Sequence, residues 1–511
     1  MDTIFNLATI IITIWLVGYL YYKWCKTYWQ RKGLPILEPE PETWPKEEVS
    51  RDELVIRTYR RIKEKGLRHA GGYKFIWPTY FPVDNQIIKR IFQKDFEHFM
   101  NHGTYLNEEG EPLSGHLFNL EGSKWRNLRA KLSPTFTSGK MKMMFPIFVE
   151  CSDGLEHLLD QYIKNNEALD IKEVAARYTT DIIGSAAFGI KCNSLIDPEA
   201  EFRKVGQKVF AYDRLKMFKY TLIALFPKSI LVALGLRITT KELENFLKNV
   251  IRENIEYREK NKIVRKDFLH LLLQLKNKGK ITDDDDSFTP DGQKAEGGTY
   301  LTFNEVAAQC YLFFLAGFET SSTTMTFAIY ELAVNQDIQD KVRKEVNEVL
   351  KKYDNKFTYE AMNEMTYLDK VFNETLRKYP PVSAIPRVCT KDYTIPGTDI
   401  TIEAGTHFSI PIMGIHYDPE YYPNPEVFDP ERFNEENKAK RPPYTHVPFG
   451  EGPRICIGSR FGRMQSLVGL AKIVKNFKIT LNEKTIYPLK FDTKSLILSP
   501  KGNMWVNVTR V

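Results

Sequence analysis

The run Phe449-Gly450-Glu451-Gly452-Pro453-Arg454-Ile455-Cys456-Ile457-Gly458 carries one cysteine on a glycine-rich loop, and a helical pattern begins at residue 459. At the start of a helix, unpaired backbone N–H groups and the positive end of the helix dipole favour a thiolate over a thiol, and a thiolate is a strong metal ligand. Gly450, Gly452 and Gly458 permit backbone turns and close approach to a flat object. Phe449 is placed to shield the sulfur from water, and Arg454 to reach an anionic edge of that object. An inert cysteine in a turn accounts for Cys456 alone but not for so many matched positions.

Three further groups have spacings that chemistry would use. Ala316-Gly317-Phe318-Glu319-Thr320 lies inside a helical pattern opened by the capping-box pair Thr302 and Glu305. A glycine in mid-helix costs about 1 kcal/mol relative to alanine, so something approaches the backbone there; a packing glycine beside a surface acid is the plainer alternative. Glu374 and Arg377 share one helix face ahead of Pro380 and Pro381, although an exposed pair of this kind contributes only a few tenths of a kcal/mol. Trp125 and Arg129 stand one turn apart, where they can address one partner or stack on each other.

The elements that must position these groups are mostly helical by periodicity, giving a mainly α fold with small β-sheets. A hairpin is expected over residues 71–83, with short strands near 393–402 and over 485–508. Residues 277–300 read as an exposed loop, and its run Asp283, Asp284, Asp285, Asp286 reads as a solvated tip without the alternating ligands of a calcium loop. Residues 3–22 carry no charge and are long enough as a helix to cross a bilayer. Trp15, Tyr19, Tyr21, Tyr22 and Trp24 crowd the far end, followed by Lys23, Lys26, Arg31 and Lys32, which predicts a retained anchor with the body on the cytosolic side. The expected organisation is an anchor over 1–22, a basic, proline-rich, extended lead-in over 23–50 and one catalytic domain over 51–511. A net charge of +7 over 511 residues is too small an excess for a nucleic-acid binder. Six scattered cysteines without a CxxC pair point away from a disulfide framework or a zinc site. His116, His446 and the other histidines read as ordinary polar residues.

At every defined position the Cys456 loop resembles the haem-binding loop of cytochrome P450 monooxygenases, Phe-x-x-Gly-x-Arg-x-Cys-x-Gly. The whole chain is similar to the insect microsomal, xenobiotic-oxidising branch. The resemblance implies the cytochrome P450 fold, a single haem domain with an N-terminal transmembrane helix, and Cys456 as axial thiolate of a b-type haem. It implies that Ala316 and Gly317 form an oxygen-binding groove in which Glu319 and Thr320 relay protons. It implies a buried structural network of Glu374, Arg377 and the Arg432 of Pro430-Glu431-Arg432-Phe433. Trp125 and Arg129 are implied on one haem propionate and Arg454 on the other, with Arg387 a third cationic contact and Phe449 and Gly450 against the cofactor. The apolar cavity would be lined by residues 105–120, Phe313, Ala316, 382–385 and 496–498. No nucleotide-binding glycine loop follows a strand, so NADPH must act through a separate NADPH-cytochrome P450 reductase, with cytochrome b5 a second partner. Lys131, Lys140, Lys142, Arg460 and Arg463 would form the docking face. The expected place is the endoplasmic reticulum membrane, and the expected substrates are small apolar compounds: plant toxins, insecticides, lipids or steroids. A reductase-independent isomerase and a haem-binding protein without activity are the rival readings, and the intact Gly317-Phe318-Glu319-Thr320 argues against the isomerase.

Overall fold

The computed structural model describes residues 2–38, 48–210, 213–282 and 300–511, the side chains of residues 2–5 and 8 excepted. Helices dominate, as the periodicity predicts, and the longest, Phe303–Val334, is the axle of the fold. Its start is fixed by the expected capping box: the Thr302 backbone N–H donates to Glu305 Oε2 (2.7 Å), and the Glu305 N–H donates to Thr302 Oγ1 (3.2 Å). Every residue from Ser321 to Ala333 is buried, so this half of the helix has no solvent face. Most of its serine and threonine hydroxyls bond within the helix, Thr320 donating to the Ala316 carbonyl at 2.6 Å and Thr326 to that of Ser322 at 2.7 Å, while Thr323 reaches the Leu498 carbonyl at 3.4 Å.

Two helices pack against the axle beside Gly317. Ile171–Ile183 brings Ile183 so close that a Cβ on Gly317 would lie 2.3 Å from its Cδ1. Ser459–Asn476, the helix that follows the Cys456 loop, sends Gln465 Nε2 to the Gly317 carbonyl at 2.8 Å. What approaches the mid-helix glycine is therefore the packing residue Ile183.

Among the described residues the strands are β1 (His69–Lys74), β2 (Trp77–Pro82), β3 (Leu169–Asp170), β4 (Ile385–Val388), β5 (Tyr393–Thr394), β6 (Thr401–Ile402), β7 (His407–Ile410), β8 (Phe477–Leu481) and β9 (Trp505–Arg510). They form sheets ordered β1-β2-β7-β4, β3-β9-β8 and β5-β6. The expected hairpin is β1–β2, pairing His69 with Pro82. The strand expectation over 485–508 holds only at its end: β9 pairs with β8, which continues directly from a helix and was hidden by that helix's periodicity.

The lead-in is not a free spacer over its described part. Trp29 is fully buried, donates from Nε1 to the Gly72 carbonyl (2.8 Å), and leaves no room for a Cβ on Gly71. The Leu37 N–H donates to Gly71, and the Gly71 N–H to Pro35. Pro39, Pro41, Pro45 and the run at 283–286 lie outside the described residues. The N-terminal helix is Asp2–Lys26, but among the described residues no helix is long and apolar enough to cross a membrane. The expected span at 3–22 is thus not given by the structure: the helix runs on past it to Lys26, and Asn6, three threonines and a tyrosine-rich end lower its mean hydropathy.

The Gly317–Ile183 contact gives a quantitative expectation. Gly317→Ala should lower unfolding stability by about 1–2 kcal/mol, overpacking outweighing the roughly 1 kcal/mol gain in helix propensity. Ile183→Val removes the Cδ1 in closest contact, so a double-mutant cycle in denaturant melts should show positive coupling between the two changes.

Candidate active site

The loop ahead of Ser459–Asn476 is closed by its own backbone. The Gly450 N–H donates to the Val447 carbonyl (2.9 Å), the Ile455 N–H to Gly452 (3.0 Å) and the Cys456 N–H to Phe449 (2.9 Å). Gly452 has φ +72°, and a Cβ there would sit 1.9 Å from the Phe92 carbonyl oxygen, so no other residue fits. Gly450 has φ +71° and packs on Ile385 of β4. Phe449 is packed at the edge of the hydrophobic core. Cys456 is an exposed residue with protein crowded around it. Burial pushes its thiol up, against the Gly458 N–H donating to the sulfur and the nearby Arg129 cation, both of which pull it down.

Three arginines converge on this loop. Arg454 donates from Nη2 to the Leu120 carbonyl (2.6 Å) and from Nη1 to those of Leu117 and Phe118, and its guanidinium lies 4.3 Å from the Trp125 ring centroid. Arg387, on β4, is fully buried; its Nη1 donates to the Pro386 carbonyl. Arg129, one turn from Trp125, is partly buried beside Cys456. Arg129, Arg387 and Arg454 make no ion pair among the described residues, and Nε of both Arg387 and Arg454 is buried without a hydrogen-bond partner. Burial pushes Arg387 down to about 10, and burial followed by repulsion from Arg387 pushes Arg454 down to about 9. Both remain cationic at neutral pH, so the site holds uncompensated positive charge beside the Cys456 thiol. A flat group with two carboxylates and a central metal fits this donor set, and haem is such a group.

Trp125 has a contact that the sequence reading did not include. It stacks under Arg454 and against Phe96 (5.6 Å between ring centroids), so besides the donor role expected of it the ring orients one cation. His102 was not anticipated. Its Nδ1 lies 3.3 Å from Arg454 Nη1, and burial with repulsion from Arg387 and Arg454 keeps it neutral.

Glu374 and Arg377 are fully buried and joined bidentately, Nε to Oε2 at 2.7 Å and Nη2 to Oε1 at 2.8 Å. Arg432 Nε stands 3.5 Å from Glu374 Oε1, completing the anticipated trio. Arg377 Nη1 donates to the His416 carbonyl, and the Asp429 N–H donates to Glu374. His416 and His446 stack beside this network at 5.4 Å.

Thr320 and Glu319 diverge in surroundings. The Thr320 hydroxyl stays on the helix by donating to Ala316, whose own face is open. Glu319 lines a polar cavity of about 380 Å³ shared with Lys172, Arg203, Ser322 and Asp492. Burial raises its carboxyl, opposed by Lys172 and Arg203. Of the anticipated cavity wall, Phe313 is engaged by Phe268 (4.0 Å) and Phe136 (5.3 Å), and Leu498 is fully buried with its N–H on the Pro381 carbonyl. Of the expected docking cations, Lys142 pairs with Glu360 and Arg463 with Asp369, which removes two charges from that face.

The buried imidazoles set an acid limit. Burial and the neighbouring cations hold His416 well below the ordinary imidazole value, and burial with Arg441 pushes His446 down to about 3. Below the unfolded value of about 6.5 the unfolded chain takes up protons that the folded chain refuses, so this stability is full above about pH 6.5 and is lost as pH falls. His446→Phe removes one such group, and the fall in unfolding free energy between about pH 6.5 and 4.5 should be shallower by about 1 kcal/mol per pH unit.

The geometry meets independent sequence comparisons. The profile of the cytochrome P450 family matches residues 77–507. The chain is 43% identical over 492 residues, 95% of each chain, to a probable cytochrome P450 6a23 of Drosophila melanogaster. It is 41% identical over 509 residues, 97% of each, to cytochrome P450 6a2 of the same fly, and 42% identical over 501 residues, 96% of each, to cytochrome P450 6A1 of Musca domestica. With the cysteine loop, the unpaired arginines and the buried Glu374–Arg377 pair in place, the chain belongs to the cytochrome P450 family of haem-thiolate monooxygenases.

Proposed function

We propose that this chain inserts one oxygen atom from O2 into small apolar organic substrates, with Cys456 as the axial ligand of haem b and electrons supplied from NADPH by a separate NADPH-cytochrome P450 reductase. Cytochrome b5 is a second electron donor in this reading. The observation that carries it is the meeting, at one loop, of a thiol bonded by the Gly458 N–H and three arginines without carboxylate partners. When bound, haem supplies the oxygen chemistry and the protein supplies binding, orientation and protons. Arg129, Arg387 and Arg454 would hold its carboxylates, with Arg454 steadied by the Trp125 ring, and Phe449 and Gly450 would lie against it.

Thr320 Oγ1 keeps a lone pair for a water while donating to Ala316, and Glu319 takes protons from the polar cavity it lines. Burial raises the Glu319 carboxyl, against Lys172 and Arg203, and so favours the proton-carrying form that a donor needs. Membrane attachment is supported by the N-terminal helix, where Ile10, Ile11, Ile12, Ile14, Trp15, Leu16 and Val17 are all exposed, with Lys23 and Lys26 in its last turn. We assign this helix as a single-pass anchor in the endoplasmic reticulum, with the body on the cytosolic side. Plant toxins and insecticides are the first substrates to assay, followed by lipids and steroids.

Cys456→His should retain some haem but lose the red-shifted absorption of the ferrous carbon monoxide complex, because imidazole does not donate charge as a thiolate does. An unchanged spectrum contradicts the ligand assignment. In the reductase-coupled enzyme, Thr320→Ala should keep consuming NADPH while product per NADPH falls severalfold and released hydrogen peroxide rises. Glu319→Gln should instead slow consumption by roughly 10²-fold, the scale of a lost proton-transfer group. Wild-type coupling in Thr320→Ala would leave that residue as helix packing only.

A further inference from the structure

His416 lies outside every motif described above, on the short helix Ile412–His416, yet it touches both the buried ion pair and the cysteine loop. Arg377 grips it twice: Nη1 donates to the His416 carbonyl (3.1 Å), and His416 Nδ1 lies 3.1 Å from the Arg377 carbonyl oxygen. The other ring nitrogen, Nε2, lies 3.1 Å from the backbone nitrogen of Val447. A backbone N–H only donates and a carbonyl only accepts, so these partners fix the ring as neutral with its proton on Nδ1. The relay continues into the loop, where the Val447 carbonyl accepts from Gly450 and the Phe449 carbonyl from Cys456. Val447 and His416 are both buried, so neither nitrogen can turn to water instead.

We propose that His416 is a positioning residue that couples the buried Glu374–Arg377 pair to the Cys456 loop through the Val447 N–H. The proposal rests on Cys456 being the axial ligand. Glu374 fixes Arg377, Arg377 fixes the His416 ring at both its backbone and Nδ1, and the ring sets the point from which the loop departs. Stacked His446 supplies the contrast: its Nε2 meets the Asn373 carbonyl (3.2 Å), a bond that does not reach the loop backbone beyond its own residue. A role in filling the core predicts equal sensitivity at both histidines, and a positioning role predicts sensitivity at His416 alone.

The test uses the full-length haem-loaded protein, reduced with dithionite under carbon monoxide, and reads the ratio of red-shifted to unshifted absorption together with haem content and far-UV circular dichroism. His416→Leu should lower that ratio about tenfold relative to wild type, the effect of about 1.4 kcal/mol from one unsatisfied buried N–H. His416→Gln, which can accept from Val447 and donate to Arg377, should recover most of the ratio, and His446→Phe should match wild type. If His416→Leu does not fold, His416→Asn, too short to span both partners, takes its place with the same expectation. A wild-type ratio in folded His416→Leu, a glutamine variant no better than leucine, or an equal loss in His446→Phe would overturn the proposal. A wild-type protein without the red-shifted band would overturn the Cys456 assignment itself, and the proposal with it.

Discussion

Glu374 and Arg377 are wholly withdrawn from water, and this ion pair ties together several distant segments of the chain. Desolvating two charges is repaid only when geometry is good and the remaining donors and acceptors are all used; removing one partner from such a pair typically costs about 3–5 kcal/mol. The pair therefore recruits the Asp429 N–H, the carbonyls of His416 and Val427, and Arg432. Those partners come from segments with little regular structure, which the pair pins to one place. Val447, joined through His416, brings the loop of Cys456 under the same constraint.

The arginines on the cofactor side follow the opposite rule. Arg387 and Arg454 are buried with an unpartnered Nε, and Arg129 has no carboxylate, so the protein alone leaves their charge unanswered. Buried groups of this kind are uncommon and normally find partners, which makes the site a receptor for anionic groups by its chemistry. One buried cation is neutralised to build the scaffold, and two buried arginines with the partly buried Arg129 are left for a ligand.

Residues whose chemistry is local in sequence were legible. Cys456 and its glycines, the Glu374–Arg377 spacing and the Thr302–Glu305 capping box each act within a few positions, and the structure places them as the spacing implied. Features set by distant partners were not legible. Gly317 announces a close approach but not that Ile183 makes it, and the spacing of Trp125 and Arg129 gives a shared face but not that Arg454 stacks there. His416 and His102 meet mainly backbone atoms or a distant arginine, which leave no residue pattern to read. Trp29 likewise docks the lead-in onto β1 through a carbonyl of Gly72, a contact that proline content alone does not reveal.

The account predicts one sulfur in the inner coordination sphere of a haem iron, held by a loop that is itself held by a buried ion pair. Extended X-ray absorption at the iron edge of the purified ferric protein measures that directly. The account predicts four nitrogen scatterers and a single sulfur scatterer, with the sulfur absent in Cys456→Ser; a wild-type iron with only nitrogen and oxygen neighbours would contradict it.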